Sequence, residues 1–145
     1  MRAIIQRVSS AMLVTPGTKP KEISRGIVAL VGVEKGDTQE NVQRMVSRIL
    51  GYRIFPDNEG RMNLSLTDID GALLLVPNFT VAADTKKGTR AGFSTAATPT
   101  DGERLFGMLV NTMSEQHAHT ETGIFAADMQ ITLTNDGPVT FILNS

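Results

Sequence analysis

The sequence predicts an α+β fold, a mostly antiparallel β-sheet with two main helices packed on it, in a single domain covering residues 1–145. Three observations lead there. Two segments carry apolar residues at helical spacing behind capping-type residues. Several others are short β-branched or wholly apolar runs bounded by Gly, Pro, Asn, Asp and Ser, which is the pattern of strands. A chain of 145 residues also buries roughly 70% of the surface its unfolded form exposes, so one core suffices and no second domain is called for.

In chain order, Arg2–Val8 is rich in β-branched residues and a second run, Ala11–Val14, follows Ser9-Ser10, so the two read as an opening hairpin. Pro16–Lys21 is turn-rich. Gly26–Val33 is a continuous apolar run of strand length, read as a central strand buried on both faces. Asp37-Thr38-Gln39-Glu40 has the form of a capping box, after which Val42, Met45, Val46, Ile49 and Leu50 recur at helical spacing up to Gly51, a natural C′ residue. Tyr52–Phe55 reads as a short strand and Pro56–Gly60 as a turn. Ala72–Val76 is another buried strand, and it delivers Pro77-Asn78-Phe79-Thr80 at its end, where side chains are held by the sheet yet open to a ligand.

Thr85–Ala97 lacks hydrophobic periodicity and reads as a long loop, a length that is often functional inside a compact domain. A second capping box, Thr100–Glu103, opens a helix whose apolar face is Leu105, Phe106, Leu109, Val110 and Met113 and which ends near Gln116. Thr120–Ala127 then leads to two strand-like runs, Met129–Leu133 and Val139–Leu143. Between them Asn135-Asp136-Gly137-Pro138 reads as a hairpin turn. Asp-Gly alone would make a tight turn; the added proline removes a ladder donor and opens the way to a cis peptide, giving a rigid corner that displays carbonyls. No internal repeat or low-complexity segment is present.

Composition narrows the chemistry. A formal net charge of −1 offers RNA no bulk attraction, so any nucleic-acid contact must come from a local basic patch. With no cysteine there are no disulfides, thiolate nucleophiles or thiolate metal sites. No signal segment or 18-residue apolar run appears, and the expectation is a soluble, cytoplasmic protein with no membrane partner. One Tyr and no Trp leave base stacking to the six Phe. Neither a G-x-G-x-x-G nor a Walker pattern occurs, so no nucleotide cofactor is expected.

The run Asn135-Asp136-Gly137-Pro138-Val139-Thr140 resembles one of the two signature motifs of the D-aminoacyl-tRNA deacylases, small enzymes that remove D-amino acids, and glycine, from mischarged tRNA. Met1–Val8 with Gln6-Arg7-Val8, Leu50–Phe55, Gly60–Leu64, Ala82–Lys87, Phe93-Ser94 and Thr122–Asp136 are similar to the family in order and spacing, so the likeness covers essentially the whole chain. The second signature, usually Ser-Gln-Phe-Thr-Leu, stands here as Pro77-Asn78-Phe79-Thr80-Val81.

The resemblance implies a barrel-like sheet, a homodimer, no cofactor, and the acceptor end of aminoacyl-tRNA as partner. It implies that Phe79 stacks on the terminal adenine, that backbone amides of Phe79 and Thr80 face the scissile ester, and that Asn78, Met129, Gly137 and Pro138 line the substrate pocket. It makes Arg7 and Asn135 supports of the Gly-Pro corner. Substrate-assisted hydrolysis of D-aminoacyl-tRNA, and of glycyl-tRNA mischarged on tRNA(Ala), is the activity implied, with Gly137-Pro138 cis and its carbonyls facing the partner's pocket to reject L-aminoacyl esters.

Each candidate has a plainer reading. Phe79 and Thr80 are otherwise an ordinary strand end, and no His, Lys or carboxylate lies near Thr80 in sequence to activate its hydroxyl, so Thr80 is not assigned as a nucleophile. An aminoacyl ester brings its own ribose hydroxyl, already held near the carbonyl. His117 and His119 form a His-x-His pair, but positions two apart on a helix do not face each other and a third ligand would have to come from Glu115 or Glu121, so a solvated helix end is expected and no metal. Lys86, Lys87 and Arg90 are a wet loop or, if Phe79 binds adenine, contacts for tRNA phosphate. Met129 is otherwise core filler and Arg7 a surface cation. The rival functions are a non-catalytic RNA-binding or proofreading module of the same fold, and a simple esterase using Thr80.

Overall fold

The computed structural model describes every residue from Met1 to Ser145. Its first element is one long strand, β1 (Arg2–Val14), where the sequence suggested a hairpin. Ala3 and Ile5 are buried at odd positions, Val8 at an even one, and Ala11 and Leu13 at odd ones again. The alternation slips because Ser9 is an extra residue: Val8 pairs with Asn135 and Ser10 with Thr134. Such a bulge bends the strand. Its first half thereby faces one core and its second half another, and Ser9-Ser10, which looked like a turn, is the bend.

β2 (Lys21–Ile23) and β3 (Gly26–Gly32) both pair antiparallel with β1. Helix α1 (Gln39–Gly51) follows, then β4 (Phe55–Pro56) against β5 (Met62–Leu64), β6 (Ala72–Pro77) and a 3-10 turn over Phe79–Ala82. Helix α2 (Pro99–Gln116), β7 (Thr120–Thr122) and β8 (Gln130–Asn144) complete the chain. The sheet order is β2-β1-β3-β6-β7; β2 and β3 pair with different stretches of β1, and β8 pairs with β1 along its whole length. Most pairings are antiparallel, as expected, but β3–β6 and β6–β7 are parallel. Parallel neighbours need a crossover, and α1 and α2 are those crossovers.

Both helices cover one face of the sheet. Val42, Met45, Val46, Ile49, Leu105, Leu109 and Met113 pack there with Ala3, Ile5, Ile27, Ala29, Val31, Leu73 and Leu75. The opposite face of β3 and β6 carries Val28, Leu74 and Val76, which meet Val8, Ala11, Leu13 and Ile23, rimmed by Met129, Ile131 and Leu133. That second cluster holds no helical residue, so the sheet covers itself by curling, which is the barrel-like closure. The continuous apolar run of β3 is explained by burial on both sides.

Three local expectations are corrected. The N-cap of α1 is Thr38 rather than Asp37, and its backbone N–H donates to Oδ1 of Asn41 at 2.9 Å. Asp37 is drawn away because its carboxylate pairs with the Met1 ammonium and accepts from the Glu34 N–H. The cap of α2 is Thr98, two residues before the predicted box, accepting from Asp101 N at 3.2 Å with Pro99 following it. The strand expected at Tyr52–Phe55 shrinks to Phe55–Pro56.

The largest correction concerns the carboxyl end: no closing hairpin forms. β8 runs unbroken past Gly137-Pro138 because both of its halves pair with the same strand, β1. Gln6 pairs with Thr140 and Val8 with Asn135, so two steps on β1 match five on β8, and the excess is extruded at Asp136–Val139. The corner is a bulge on an edge strand.

Candidate active site

β6 ends at Pro77, and the chain turns at once into the 3-10 turn. Asn78 sets that turn. Its amide oxygen accepts from the Thr80 N–H at 3.2 Å and from the Thr80 hydroxyl at 2.5 Å, while its own N–H donates to the Val31 carbonyl at 2.8 Å. The turn sits against the end of β3, where a Cβ on Gly32 would come within 2.8 Å of the Ala82 nitrogen and 3.1 Å of the Asn78 oxygen. Only glycine admits so close an approach of backbones. Thr95 adds a hydroxyl bond to the Ala82 carbonyl at 2.5 Å.

Two consequences follow for chemistry. The Phe79 N–H, first of the turn, bonds to no group of the chain, as the leading N–H groups of a helical turn ordinarily do not. The Thr80 hydroxyl spends its only proton on Asn78, and no imidazole, amine or carboxylate bonds to it. The site thus offers a free amide donor and no activated nucleophile.

Phe79 itself is 60% exposed, which for a large apolar side chain at the mouth of a sheet marks a contact surface. Phe93, 47% exposed, leans on it with ring centroids 5.0 Å apart and planes inclined at 50°. The sequence reading matched Phe93-Ser94 to the family but gave this ring no role; its only signal was a lone aromatic in a loop of small and polar residues. Lys86, Lys87 and Arg90 lie on the exposed loop that leaves the turn, tied at its base by mutual bonds between Asp84 and Gly92. Met129 sits half-buried beside Pro77: a Cβ on Gly123 would lie 2.6 Å from the Met129 sulfur and 3.1 Å from Pro77 Cδ.

The second motif is built differently. Gly137-Pro138 is a cis peptide, exposed at the tip of the β8 bulge. The Asn135 amide oxygen accepts from the Val139 N–H at 2.7 Å and its amide nitrogen donates to the Thr140 hydroxyl at 3.0 Å, closing the bulge from within. Arg7 holds it from outside, donating to the Asp136 carbonyl at 2.8 Å and to the Ile54 carbonyl at 2.7 Å, with Asp136 Oδ2 at 3.3 Å. Gly137 has φ +149, and a Cβ there would lie 2.6 Å from Val139 Cγ2 and 2.8 Å from the Val139 nitrogen. No larger residue fits.

The structure does not bring the two motifs together within one chain. The Asn78 turn lies beside Gly32, which pairs with Arg2, whereas the corner stands at Arg7. Five strand positions separate them, roughly 17 Å at ~3.3 Å per residue.

The histidines part company. His117, expected in solvent, is buried, and its Nε2 lies 2.6 Å from the Gly71 carbonyl, fastening the end of α2 to the start of β6. His119 is exposed near Asp70 at 3.6 Å. The cause of the miss is that His117 is the C-cap residue, and its ring points into the domain just as the helix ends.

A family described as D-Tyr-tRNA(Tyr) deacylase matches residues 4–144. The chain is 50% identical over 144 residues to a D-aminoacyl-tRNA deacylase of Marinomonas sp., covering 99% of this chain and 100% of that protein. It is 53% identical to one from Methylococcus capsulatus, covering 99% of this chain and 94% of that one. Among solved structures, a c-Myc DNA unwinding element binding protein superposes with TM-score 0.94 at 32% identity, over 100% of this chain and 99% of that one. A probable eukaryotic D-amino acid tRNA deacylase superposes with TM-score 0.85 at 16% identity over 99% of this chain and 98% of that one, a likeness of fold.

Proposed function

The chain belongs to the D-Tyr-tRNA(Tyr) deacylase family and is a hydrolase of D-aminoacyl-tRNA, and on that premise we propose a substrate-assisted mechanism at a site shared between two subunits. One observation carries the mechanism: the Thr80 hydroxyl is donated to Asn78 with no base beside it, so the chain presents no nucleophile of its own. The vicinal ribose hydroxyl of the substrate supplies one. Held next to the ester carbonyl, it gains from proximity what a protein nucleophile would otherwise have to provide. The free Phe79 N–H then receives the developing oxyanion, while the Thr80 N–H stays on the Asn78 oxygen and holds the turn. Phe79 stacks on the terminal adenine and Lys86, Lys87 and Arg90 meet the phosphates behind it.

The separation of roughly 17 Å between the two motifs supports a homodimer, because a pocket needing both must take the Gly137-Pro138 corner from a second copy. The corner is exposed and β8 is an edge strand with Ile142 64% exposed, so that surface is available. Backbone carbonyls at the corner accept from the substrate ammonium and leave no room for an L side chain. Selection by exclusion admits glycine as well, so glycyl-tRNA is cleaved too. No helix is long and apolar enough to cross a membrane, and we place the enzyme with its tRNA substrate in the cytoplasm.

Hydrolysis of D-, L- and glycyl-tRNA by the purified protein tests the reading, with a terminal nucleoside lacking the vicinal hydroxyl as control. D- and glycyl esters should be cleaved and L-esters spared. Rapid cleavage of the deoxy substrate would return the role to Thr80, and binding without turnover would leave only an RNA-binding module.

A further inference from the structure

Phe79 has a neighbour that the mechanism leaves unused. Phe93 meets it at 5.0 Å, and its loop is fixed by three tethers: Lys35 N–H to the Thr95 carbonyl at 2.8 Å, Ala97 N–H to the Val33 carbonyl at 3.0 Å, and Thr95 to Ala82. A half-exposed aromatic held this firmly is preorganised, so binding to it costs little ordering. The ring also forms part of the wall of a cleft of about 530 Å³, between the start of α1 and the start of α2. Glu34, Lys35, Ala97, Asp101 and Leu105 line the rest that matters here. The volume lies within the range of small-molecule sites and is ample for a nucleobase.

Glu34, Asp37 and Asp101 line the cleft together with one lysine, Lys35. All three carboxylates already have partners: Glu34 the Met1 ammonium at 3.2 Å and Arg2 at 3.1 Å, Asp37 that same ammonium, and Asp101 the Arg104 guanidinium at 3.5 Å and the Thr98 hydroxyl at 2.9 Å. What remains is an aromatic face, an apolar floor from Ala97 and Leu105, and oxygen acceptors at the rim. A planar base fits that surface, and an exocyclic amino group on it would find acceptors.

We propose that Phe93 and this cleft bind the base of the nucleotide preceding the terminal adenosine. The inference rests on the reading that Phe79 stacks the terminal adenine. Two bases in succession would then lie against two rings in succession, and the enzyme would recognise the strand end as well as the ester.

The test compares three esters: D-phenylalanyl-adenosine, the D-phenylalanyl ester of cytidylyl-adenosine, and the same dinucleotide with an abasic residue in place of cytidine. The native protein should cleave the cytidylyl substrate with kcat/KM about 5- to 100-fold above the abasic one, the range for stacking one base on one aromatic ring. Phe93→Ala should abolish that ratio while leaving D-phenylalanyl-adenosine within about twofold, and Phe93→Tyr should keep it, since a phenol retains the face that stacks. Equal rates for cytidylyl and abasic substrates in the native protein overturn the proposal. So does a Phe93→Ala loss that falls equally on all three, which would make Phe93 a buttress of Phe79. Failure of the native protein to cleave any of the D-esters would instead overturn the catalytic reading beneath it.

Discussion

In the proposed mechanism the Asn78–Ala82 turn and the Asp136–Val139 corner share one task, presenting backbone groups to a substrate, but they are held by opposite means. The turn is seated in the body of the domain. It continues a strand buried on both faces, and its shape comes from one amide, Asn78, and from the glycine beneath it, Gly32. The corner projects from an edge strand and owes its shape to side chains that reach it, Asn135 from within and Arg7 from β1. The turn is therefore part of the fold and the corner is an attachment to it. Substitutions in the turn should disturb binding and chemistry by degrees, while those in the corner should act on the partner's site, in rate and in selection, and on nothing in their own subunit's turn.

The largest expected effect tests that division directly. Gly137→Ala places a methyl within 2.6 Å of Val139 Cγ2, so the bulge must reshape. Activity on D-aminoacyl-tRNA should fall at least about 100-fold, ~2.7 kcal/mol in the barrier, with little change in melting temperature because the strand pairing on either side is intact. Mixing Gly137→Ala with Phe79→Ala after joint refolding should recover about a quarter of native activity, since half the dimers are mixed and each carries one intact site of two. No recovery would mean the site is not shared.

Phe79→Ala alone comes next. Loss of one stacked base should raise KM about 5- to 100-fold with a smaller effect on kcat, read by steady-state kinetics on D-aminoacyl-tRNA. A pure kcat effect would show that the ring shapes the turn rather than meeting the adenine.

Arg7→Lys probes the brace. The guanidinium spans the Asp136 and Ile54 carbonyls at once, and a lysine ammonium on a flexible stem cannot reproduce that fork. About a tenfold loss of D-ester activity is expected, together with a measurable rise in cleavage of L-aminoacyl-tRNA as the corner loosens. Unchanged discrimination between D and L would separate the brace from the filter.

How far these two regions could be read from the sequence follows the same contrast. The strand that delivers the turn is legible because Ala72–Val76 is apolar on both faces, and both helices are legible from their periodicity. The corner was located but misread as a hairpin. Local signals at Asn-Asp-Gly-Pro cannot reveal that the segments on either side pair with one distant strand, and the same blindness made Ser9-Ser10 a turn when it is a bulge. His117 and the helix caps were missed for a related reason: Gly71, Met1 and Pro99 determine them, and only the first helix's box lay within a residue of its true place. Phe93 gained meaning only when folding set it against Phe79.

The smallest expected effect is at the turn's own centre, and it is the sharpest comparison with the corner. Thr80→Ala removes the hydroxyl bond to Asn78 but leaves the Thr80 backbone N–H, still 3.2 Å from the Asn78 oxygen, to hold the turn. If the hydroxyl is structural, the loss should stay below about tenfold, or 1.4 kcal/mol. Asn78→Gln should likewise stay within about tenfold, because one added methylene on a half-buried side chain can still present its oxygen to the same N–H. The two changes can be told apart by what they release. Thr80→Ala leaves the Phe79 and Thr80 amides where they are, so the ratio of rates for the normal and deoxy substrates should not move. Asn78→Gln shifts the turn and should move it slightly. Complete loss of activity in Thr80→Ala, with folding and tRNA binding intact, would place the nucleophile back on the protein and remove the reason for a site without catalytic side chains.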